Sequence, residues 1–392
     1  MTRLLSSVVI ASVLSLTAGF HFVQAQEPVP KTPADKPSPT PFRLAPAIWP
    51  VFRGDATMTG VGTAKLPDQL EERWTFKTGD TLDGAPAIAN GVVYVASLDK
   101  HLYAIDLATG KQKWKVKLGA MRASPSFKGN RIYVGNLEGG FHCVNAEDGK
   151  IIWKFEADGE IQAAANFHGD NIIFGSHDSN LYCLSPDGKK VWTVMVDGPI
   201  NAAAAVVGDR TFATGCSDGV LHVIDAVKGK DLGSIDLGGQ TIATAAVVGD
   251  WVYASMETNQ VVGADLKGLK KVWTFEPPKR QQPFHSSPAT AAGLVIAGSR
   301  DKKVYALDAK TGVEKWSFTT GGQVDASPVV VGERVYVGCL NDEGTFYVLD
   351  LKTGKKIQEL ELFSAVSGSA AVGPDCILVG TDKGLLYCLG KK

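Results

Sequence analysis

The chain has 392 residues, 44% of them hydrophobic, and a formal net charge of −1 at pH 7. It contains no basic run longer than two residues, so it lacks the electrostatic footprint of a nucleic-acid-binding protein. Composition and charge therefore favour a soluble folded protein whose partner is not nucleic acid.

The first 25 residues resemble a secretory signal peptide. Arg3 is their single charge, an apolar run covers residues 8–20, and Val23-Gln24-Ala25 has the small-x-small pattern of a cleavage site. The apolar run is shorter than the roughly 20 residues that a membrane-spanning helix needs, and no later run approaches that length. No cysteine precedes Cys143, so the usual lipoprotein acylation site is absent. We therefore expect an exported protein, periplasmic or extracellular, with no transmembrane span in the mature chain.

Residues 26–46 are rich in proline and polar residues, a composition that favours extended structure and cannot build a core. They are predicted to form a disordered tether. Residues 47–69 follow as a lead-in strap, in which Trp49-Pro50-Val51-Phe52-Arg53-Gly54-Asp55 precedes Thr59-Gly60-Val61. The folded domain is predicted to extend from residue 70 to residue 392.

Six of the eight tryptophans recur about every forty residues, a period typical of β-propeller blades. They are Trp74, Trp114, Trp153, Trp192, Trp273 and Trp316. Gly233 and Gln358 occupy the two positions where the register lacks a tryptophan. Each repeat reads as four short strands separated by turn residues. The sequence therefore predicts an all-β fold, an eight-bladed propeller of four-stranded antiparallel blades, with tryptophans that pack between blades.

The two ends of the repeat array are incomplete. The strand around Trp74 has no inner strands before it, and the last repeat, residues 367–389, has three strands and no fourth. Pairing them completes the eighth blade and removes the open sheet edges. Cys143, Cys183 and Cys388 occupy slots that hold small apolar residues in other blades, so we expect buried thiols rather than disulfides.

One position per blade is predicted to face the axial funnel, three residues before the inner-strand proline or its equivalent. We call these the rim residues: Asp83, Arg122, Gln162, Asn201, Ile242, His285, Asp325 and Ser367. Seven of the eight are polar, as a wet channel mouth requires, whether or not it binds a ligand. As a binding site, Arg122 flanked by amides suits a carboxylate or peptide carbonyl. Alternatively, Asp83 and Asp325 suit a cation.

The connection between Trp273 and Pro288 is several residues longer than its counterparts. It is expected to rise over the funnel face and to contact a partner through Lys279, Arg280, Phe284 and His285.

The segments Ser286-Ser287-Pro288-Ala289 and 304–316, with the pattern AxDxxTGxxxW, resemble the repeats of pyrroloquinoline-quinone-type propellers over about residues 70–389. Two branches share this resemblance. Quinoprotein dehydrogenases imply a quinone and calcium, whereas the propeller subunit of the outer-membrane β-barrel assembly machinery implies a non-enzymatic periplasmic scaffold. Adjacent cysteines, CxxCH, HExxH, GxSxG and Walker motifs are all absent from the sequence.

We therefore expect a monomeric scaffold without a cofactor, which binds a protein or peptide on its funnel face. A quinone-dependent dehydrogenase with calcium is the first alternative, and a small-ligand sensor is the second.

Overall fold

The computed structural model describes residues 49–214, 218–278 and 281–392. These residues form eight four-stranded antiparallel blades of an eight-bladed propeller, and the short strand Val61–Gly62 adds a parallel fifth strand to the sheet of one blade. The predicted fold class is confirmed. The proposed signal peptide and tether lie outside the described residues.

The strands are as follows in chain order. β1 (Val61–Gly62) and β2 (Glu71–Lys77) precede blade one in the chain. Blade one holds β3 (Ala87–Ala89), β4 (Val92–Ala96), β5 (His101–Asp106) and β6 (Gln112–Lys117). Blade two holds β7 (Ser126–Lys128), β8 (Arg131–Gly135), β9 (Gly140–Asn145) and β10 (Ile151–Glu156). Blade three holds β11 (Asn166–His168), β12 (Asn171–Gly175), β13 (Asn180–Leu184) and β14 (Lys190–Met195). Blade four holds β15 (Ala205–Val207), β16 (Arg210–Thr214), β17 (Val220–Asp225) and β18 (Asp231–Asp236).

The second half repeats the same order. Blade five holds β19 (Ala246–Val248), β20 (Trp251–Ser255), β21 (Val261–Asp265) and β22 (Lys270–Phe275). Blade six holds β23 (Ala289–Ala291), β24 (Leu294–Ser299), β25 (Lys303–Asp308) and β26 (Glu314–Thr319). Blade seven holds β27 (Val329–Val331), β28 (Arg334–Gly338), β29 (Thr345–Asp350) and β30 (Lys356–Glu361). Blade eight holds β31 (Ala371–Val372), β32 (Cys376–Gly380) and β33 (Leu385–Gly390), and β2 is its outer strand.

The ring closes where the sequence predicts. β2 pairs antiparallel with β33, in a register that places Trp74 opposite Cys388. Arg73 forms an ion pair of 2.8 Å with Asp375 across this blade. In blade seven, the Gln358 amide donates to the Leu70 carbonyl (2.7 Å) and accepts from the Leu70 N–H (2.9 Å). Gln358 thus stands in for a tryptophan by binding the backbone that leads into the closing strand.

The six ladder tryptophans pack between blades, as predicted. Each indole Nε1–H donates to a backbone carbonyl of the next blade, as Trp316 does to Leu351 at 2.9 Å. A turn glycine of the next blade lies on the ring face: a Cβ on Gly354 would stand 2.5 Å from Trp316. Where the ladder lacks a tryptophan at Gly233, the Leu269 side chain fills the space. Replacing such a buried aromatic with alanine typically costs about 3–5 kcal/mol.

Residues 49–62 belong to the lead-in strap predicted for residues 47–69 and run across the inner strands; below, the strap means residues 49–62. Strap carbonyls accept inward-facing backbone N–H groups of six inner strands in turn. The donors are Ile88 to Trp49, Phe127 to Pro50, Val206 to Ala56, Val247 to Thr57, Thr290 to Thr59 and Val330 to Gly60. In blade three, the Asn166 side chain donates to the Ala56 carbonyl instead. The strap therefore supplies acceptors that an open channel would leave to water.

The described cysteines, Cys143, Cys183, Cys339, Cys376 and Cys388, are free and buried. Cys143, Cys183 and Cys388 pack as apolar residues, in agreement with their repeat positions. Burial raises the pKa of Cys143 to about 11 and that of Cys183 to about 12. Cys216 lies outside the described residues. Within the described part of the chain, no helix is long and apolar enough to cross a membrane.

Candidate functional site

The eight rim residues surround one opening at the propeller axis. Each precedes an inner strand, so the eightfold repeat places one of these side chains in every blade at the same height. The structure brings together the complete rim set that the register predicted, including the apolar exception Ile242. Their role in binding stays a prediction.

The rim opens into a chamber of about 190 Å³, which the eight rim residues also line. The residues that line it one layer down are small because eight inner strands converge there: Gly84, Ser124, Ala164, Ala203, Thr244, Ser287, Ser327 and Ser369. Phe52 of the strap also lines the chamber. Because the strap bonds to residues farther along the inner strands, it covers the channel end opposite the rim, and we call the rim end the funnel face.

A charged network joins blades five, six and seven at the rim. Arg300 holds Asp325 with two nitrogens, Nε at 2.9 Å and Nη2 at 2.6 Å. His285 lies between two carboxylates, with Nε2 at 2.8 Å from Glu257 Oε1 and Nδ1 at 3.5 Å from Asp325 Oδ2. This sector of the rim is cross-linked by charge-assisted contacts, which are stronger than neutral hydrogen bonds.

The network shifts the pKa of its members. Burial opposes ionisation of Asp325, but hydrogen bonds from Arg300 and His285 outweigh it and lower the Asp325 pKa to about 2. Burial alone would lower the pKa of His285, yet Asp325 and the charge of Glu257 raise it above its usual range. Asp325 is therefore an anion at physiological pH, and protonation of His285 is favoured.

A second cluster joins blades eight, one and two. Arg122 Nε lies 3.3 Å from Asp83 Oδ2, while the Arg122 side chain remains 52% exposed. The Ser367 hydroxyl lies between two carboxylates, within hydrogen-bond distance of Asp382 and of Asp83 (3.2 Å), and its single hydrogen serves one of them at a time. Burial, together with the charges of Asp83 and Asp325, raises the pKa of Asp382. Arg122 is thus a half-exposed guanidinium on a charged rim.

On the far side of the rim, amides replace charges. Gln162 Nε2 donates to Glu160 at 2.7 Å. The Asn201 side-chain oxygen forms a hydrogen bond with His177 Nε2. The rim residues of blades three and four are therefore amides, which bond to Glu160 and His177, whereas blades one, two, six and seven contribute the titratable or charged rim residues Asp83, Arg122, His285 and Asp325.

The structure corrects one expected contact residue. Phe284 is fully buried and packs its ring against Tyr305, with the ring centroids 5.8 Å apart. It precedes the rim residue His285 and therefore occupies the apolar position of the inner-strand entry, so it cannot touch a partner on the surface. Lys279 and Arg280, which were expected to contact a partner, lie outside the described residues.

Two exposed apolar side chains on the funnel face escaped the sequence interpretation. Met195 ends the outer strand of blade three and is 75% exposed, and Phe363 follows the outer strand of blade seven and is 66% exposed. Phe363 adopts a left-handed backbone, φ 56°, in a slot that holds glycine in four other blades. Aligning the exits of the outer strands would have revealed this phenylalanine, because bulky residues rarely adopt that conformation.

The rim does not fit a quinone held by calcium. Calcium needs several oxygen ligands in one place, whereas Asp325 is paired with Arg300 and Asp83 with Arg122. Over residues 49–214, 218–278 and 281–392, no group of three or more His, Cys, Asp or Glu side chains is placed to hold a metal ion. The same contacts argue against a cation between Asp83 and Asp325.

Comparison with known proteins agrees with this architecture. The outer membrane protein assembly factor BamB of Shewanella oneidensis is 24% identical over 191 residues, which are 45% of this chain and 47% of that protein. The chain spans less than half the length of the first curated relatives that it matches.

Two solved structures share the fold. BamB from Moraxella catarrhalis has a TM-score of 0.71 at 19% identity, covering 82% of this chain and 98% of that one. Quinohemoprotein alcohol dehydrogenase from Comamonas testosteroni has a TM-score of 0.76 at 12% identity, covering 88% of this chain and 81% of that one. At these identities the likeness shows the fold alone.

The sequence profile of one family covers the whole propeller. The profile described as outer membrane protein assembly factor BamB matches residues 67–124, 109–245 and 177–392. Its three overlapping matches reflect the repeat, since successive blades fit the same pattern in more than one register. This chain belongs to the family of the outer membrane protein assembly factor BamB.

Proposed function

We propose that the chain is an exported, non-enzymatic scaffold that binds a protein or peptide partner on its funnel face. The observation that carries this proposal is the rim, which gathers a half-exposed guanidinium, amides and paired carboxylates around one opening. Such a surface combines hydrogen-bonding groups with little unpaired charge, which suits the polar part of a protein interface.

The exposed side chains of Met195 and Phe363 support the same conclusion. Methionine and phenylalanine are enriched at protein interfaces, and both lie on the face that carries the rim. Family membership indicates what kind of partner to expect, because the relatives are named for outer membrane protein assembly. We infer that the partner of this chain takes part in such assembly.

Affinity purification from the native host tests the proposal. Arg122→Glu reverses a half-exposed charge at the rim, next to the like charge of Asp83, and is expected to remove the specific partner. Lys310→Glu is the matched control, because Lys310 is exposed in a turn on the opposite face. Circular dichroism should give both variants the same folded signal.

The two variants distinguish binding on the funnel face from binding on the opposite face. Loss of the partner with Arg122→Glu and its retention with Lys310→Glu would support the funnel face. If Arg122→Glu keeps every partner of the parent chain, the rim is not the binding surface. Depletion of the chain is also expected to lower the amount of folded outer membrane proteins.

A further inference from the structure

The chamber below the rim is lined by hydroxyl groups that already accept a hydrogen bond. Around the ring, each of five hydroxyls accepts a backbone N–H from the preceding blade, over 2.8–3.1 Å. They belong to Ser124, Thr244, Ser287, Ser327 and Ser369. Four of the five lie in consecutive blades, from five to eight.

These hydroxyls have hydrogens left to donate. A hydroxyl group carries one donor besides its acceptor lone pairs. Within the part of the chain that the structure describes, none of the five donates to a protein acceptor. Since each one lines the chamber, their O–H groups are available to whatever occupies it. The wall therefore offers hydroxyl donors that no acceptor among the described protein residues engages.

A buried cation lies beneath this layer. The Arg53 side chain of the strap is 1% exposed, and its Nη2 donates to the carbonyls of Pro328 (2.6 Å) and Pro288 (3.3 Å). These prolines directly follow the chamber residues Ser327 and Ser287. Arg53 Nε and Nη1 are buried and have no hydrogen-bond partner among the described residues. A buried charge of this kind is costly unless it is paired.

The nearest carboxylate does not neutralise Arg53. Asp55 accepts hydrogen bonds from the backbone and hydroxyl groups of Thr57 and Thr59, and forms no ion pair with Arg53. Burial lowers the pKa of Arg53 to about 9, with the charge of Asp55 opposing it, so the guanidinium stays protonated at neutral pH. Arg53 does not itself line the chamber; its charge lies below the hydroxyl layer, at the carbonyls of Pro288 and Pro328.

The carboxylates at the mouth are engaged elsewhere. Asp325 is held by Arg300 and His285, Asp83 faces Arg122, and Asp382 bonds to Ser367. Asp83 and Asp325 line the chamber together with Arg122 and His285, so these charged groups are paired with one another, whereas the hydroxyl layer below them keeps unused donors. This distribution selects a small anion that reaches past the rim.

We propose that the axial chamber binds one small oxyanion, of phosphate or carboxylate chemistry, through the ring hydroxyls above Arg53. The site goes beyond the scaffold function because it needs no protein partner. The same chemistry has two sources, a free inorganic anion or the terminal carboxylate of a peptide that enters through the funnel.

Calorimetric titration of the mature protein tests the site with three probes at constant ionic strength: inorganic phosphate, acetate, and a short peptide with a free or an amidated C-terminus. We expect saturable binding of at least one anion. Preference for phosphate identifies a free anion, and preference for the free-carboxylate peptide over its amide identifies a peptide terminus.

Variants locate the binding. Ser287→Ala combined with Ser327→Ala removes two donors and should weaken binding roughly tenfold or more, as expected for charge-assisted hydrogen bonds. Ser176→Ala is the control, since its buried hydroxyl bonds to Gly159 and Glu160 outside the chamber. An anomalous-scattering peak in the chamber of crystals grown with selenate gives a readout that needs no variant.

Two results would overturn the proposal. One is the absence of saturable binding for every probe together with an empty chamber in selenate crystals. The other is equal affinity in the double variant and the parent. Neither depends on the partner purification, so the chamber and the funnel-face scaffold can fail separately.

Discussion

The stacking of tryptophan on turn glycine can be isolated by a matched pair of substitutions. Gly354 and Gly332 share a left-handed backbone, with φ of 68° and 59°. A Cβ on Gly354 would lie 2.5 Å from the Trp316 ring, whereas a Cβ on Gly332 would meet nothing within 4 Å. Alanine at either position bears the same backbone cost, so the difference between the variants reports the contact with the indole.

The expected losses in free energy of unfolding follow from the environments of these two glycines. Gly332→Ala should cost about 1 kcal/mol, because a left-handed residue costs about 1–2 kcal/mol and the stiffer unfolded chain returns part of it. Gly354→Ala adds overpacking of about 1–3 kcal/mol. It also strains the Trp316–Leu351 hydrogen bond, which contributes about 1 kcal/mol. We expect a total of about 3–5 kcal/mol for Gly354→Ala.

Urea denaturation followed by far-ultraviolet circular dichroism measures the difference as a shift in midpoint at unchanged slope. In a Trp316→Leu background, the extra cost of Gly354→Ala should shrink, because the ring that it displaces is gone. Equal destabilisation by the two alanines in the parent chain would refute the assignment of these glycines to indole stacking.

Three further predictions concern the charges and thiols. The raised pKa of His285 stabilises the fold fully below about pH 6.5, its unfolded value, and that contribution is lost as the pH rises through the folded pKa; the His285→Gln variant should lack this dependence in thermal melts from pH 5 to 9. Asp325→Asn should destabilise by about 2 kcal/mol at pH 7, since it removes the partner of a bound guanidinium; a melting temperature equal to that of the parent would contradict the network. In a Cys216→Ser background, the buried thiols, including Cys143 and Cys183, should react with a thiol reagent only after denaturation, and rapid labelling of the native protein would contradict their burial.

The sequence predicts the fold and the rim because both depend on the repeat period of the blades. The tryptophans and turn glycines repeat with it, and one rim residue per blade then follows from the register. Contacts between side chains of neighbouring blades depend instead on the length and the rotamer of each side chain. The pairing of Arg300 with Asp325 joins neighbouring blades at a distance that no linear pattern reports.

Two phenylalanines lie where the sequence does not predict them. The length of its loop predicts Phe284 on the surface, yet the alternation at the inner-strand entry places it in the core. The exposure of Phe363 results from a left-handed backbone after β30, a conformation that the residue type itself does not favour. In both cases the local backbone, rather than composition, determines the direction of the side chain.

The strap contacts both the inner strands of the propeller and the candidate chamber site. It supplies hydrogen-bond acceptors to six inner strands, lines the chamber with Phe52 and places Arg53 beneath the hydroxyl ring. Because it covers the channel end opposite the rim, a ligand of the chamber has to enter through the funnel face. A partner seated on the rim would lie directly above that ligand. The repeat therefore places the two candidate sites on one axis. The non-repeating strap covers one end of that axis, so both sites are reached from the funnel face.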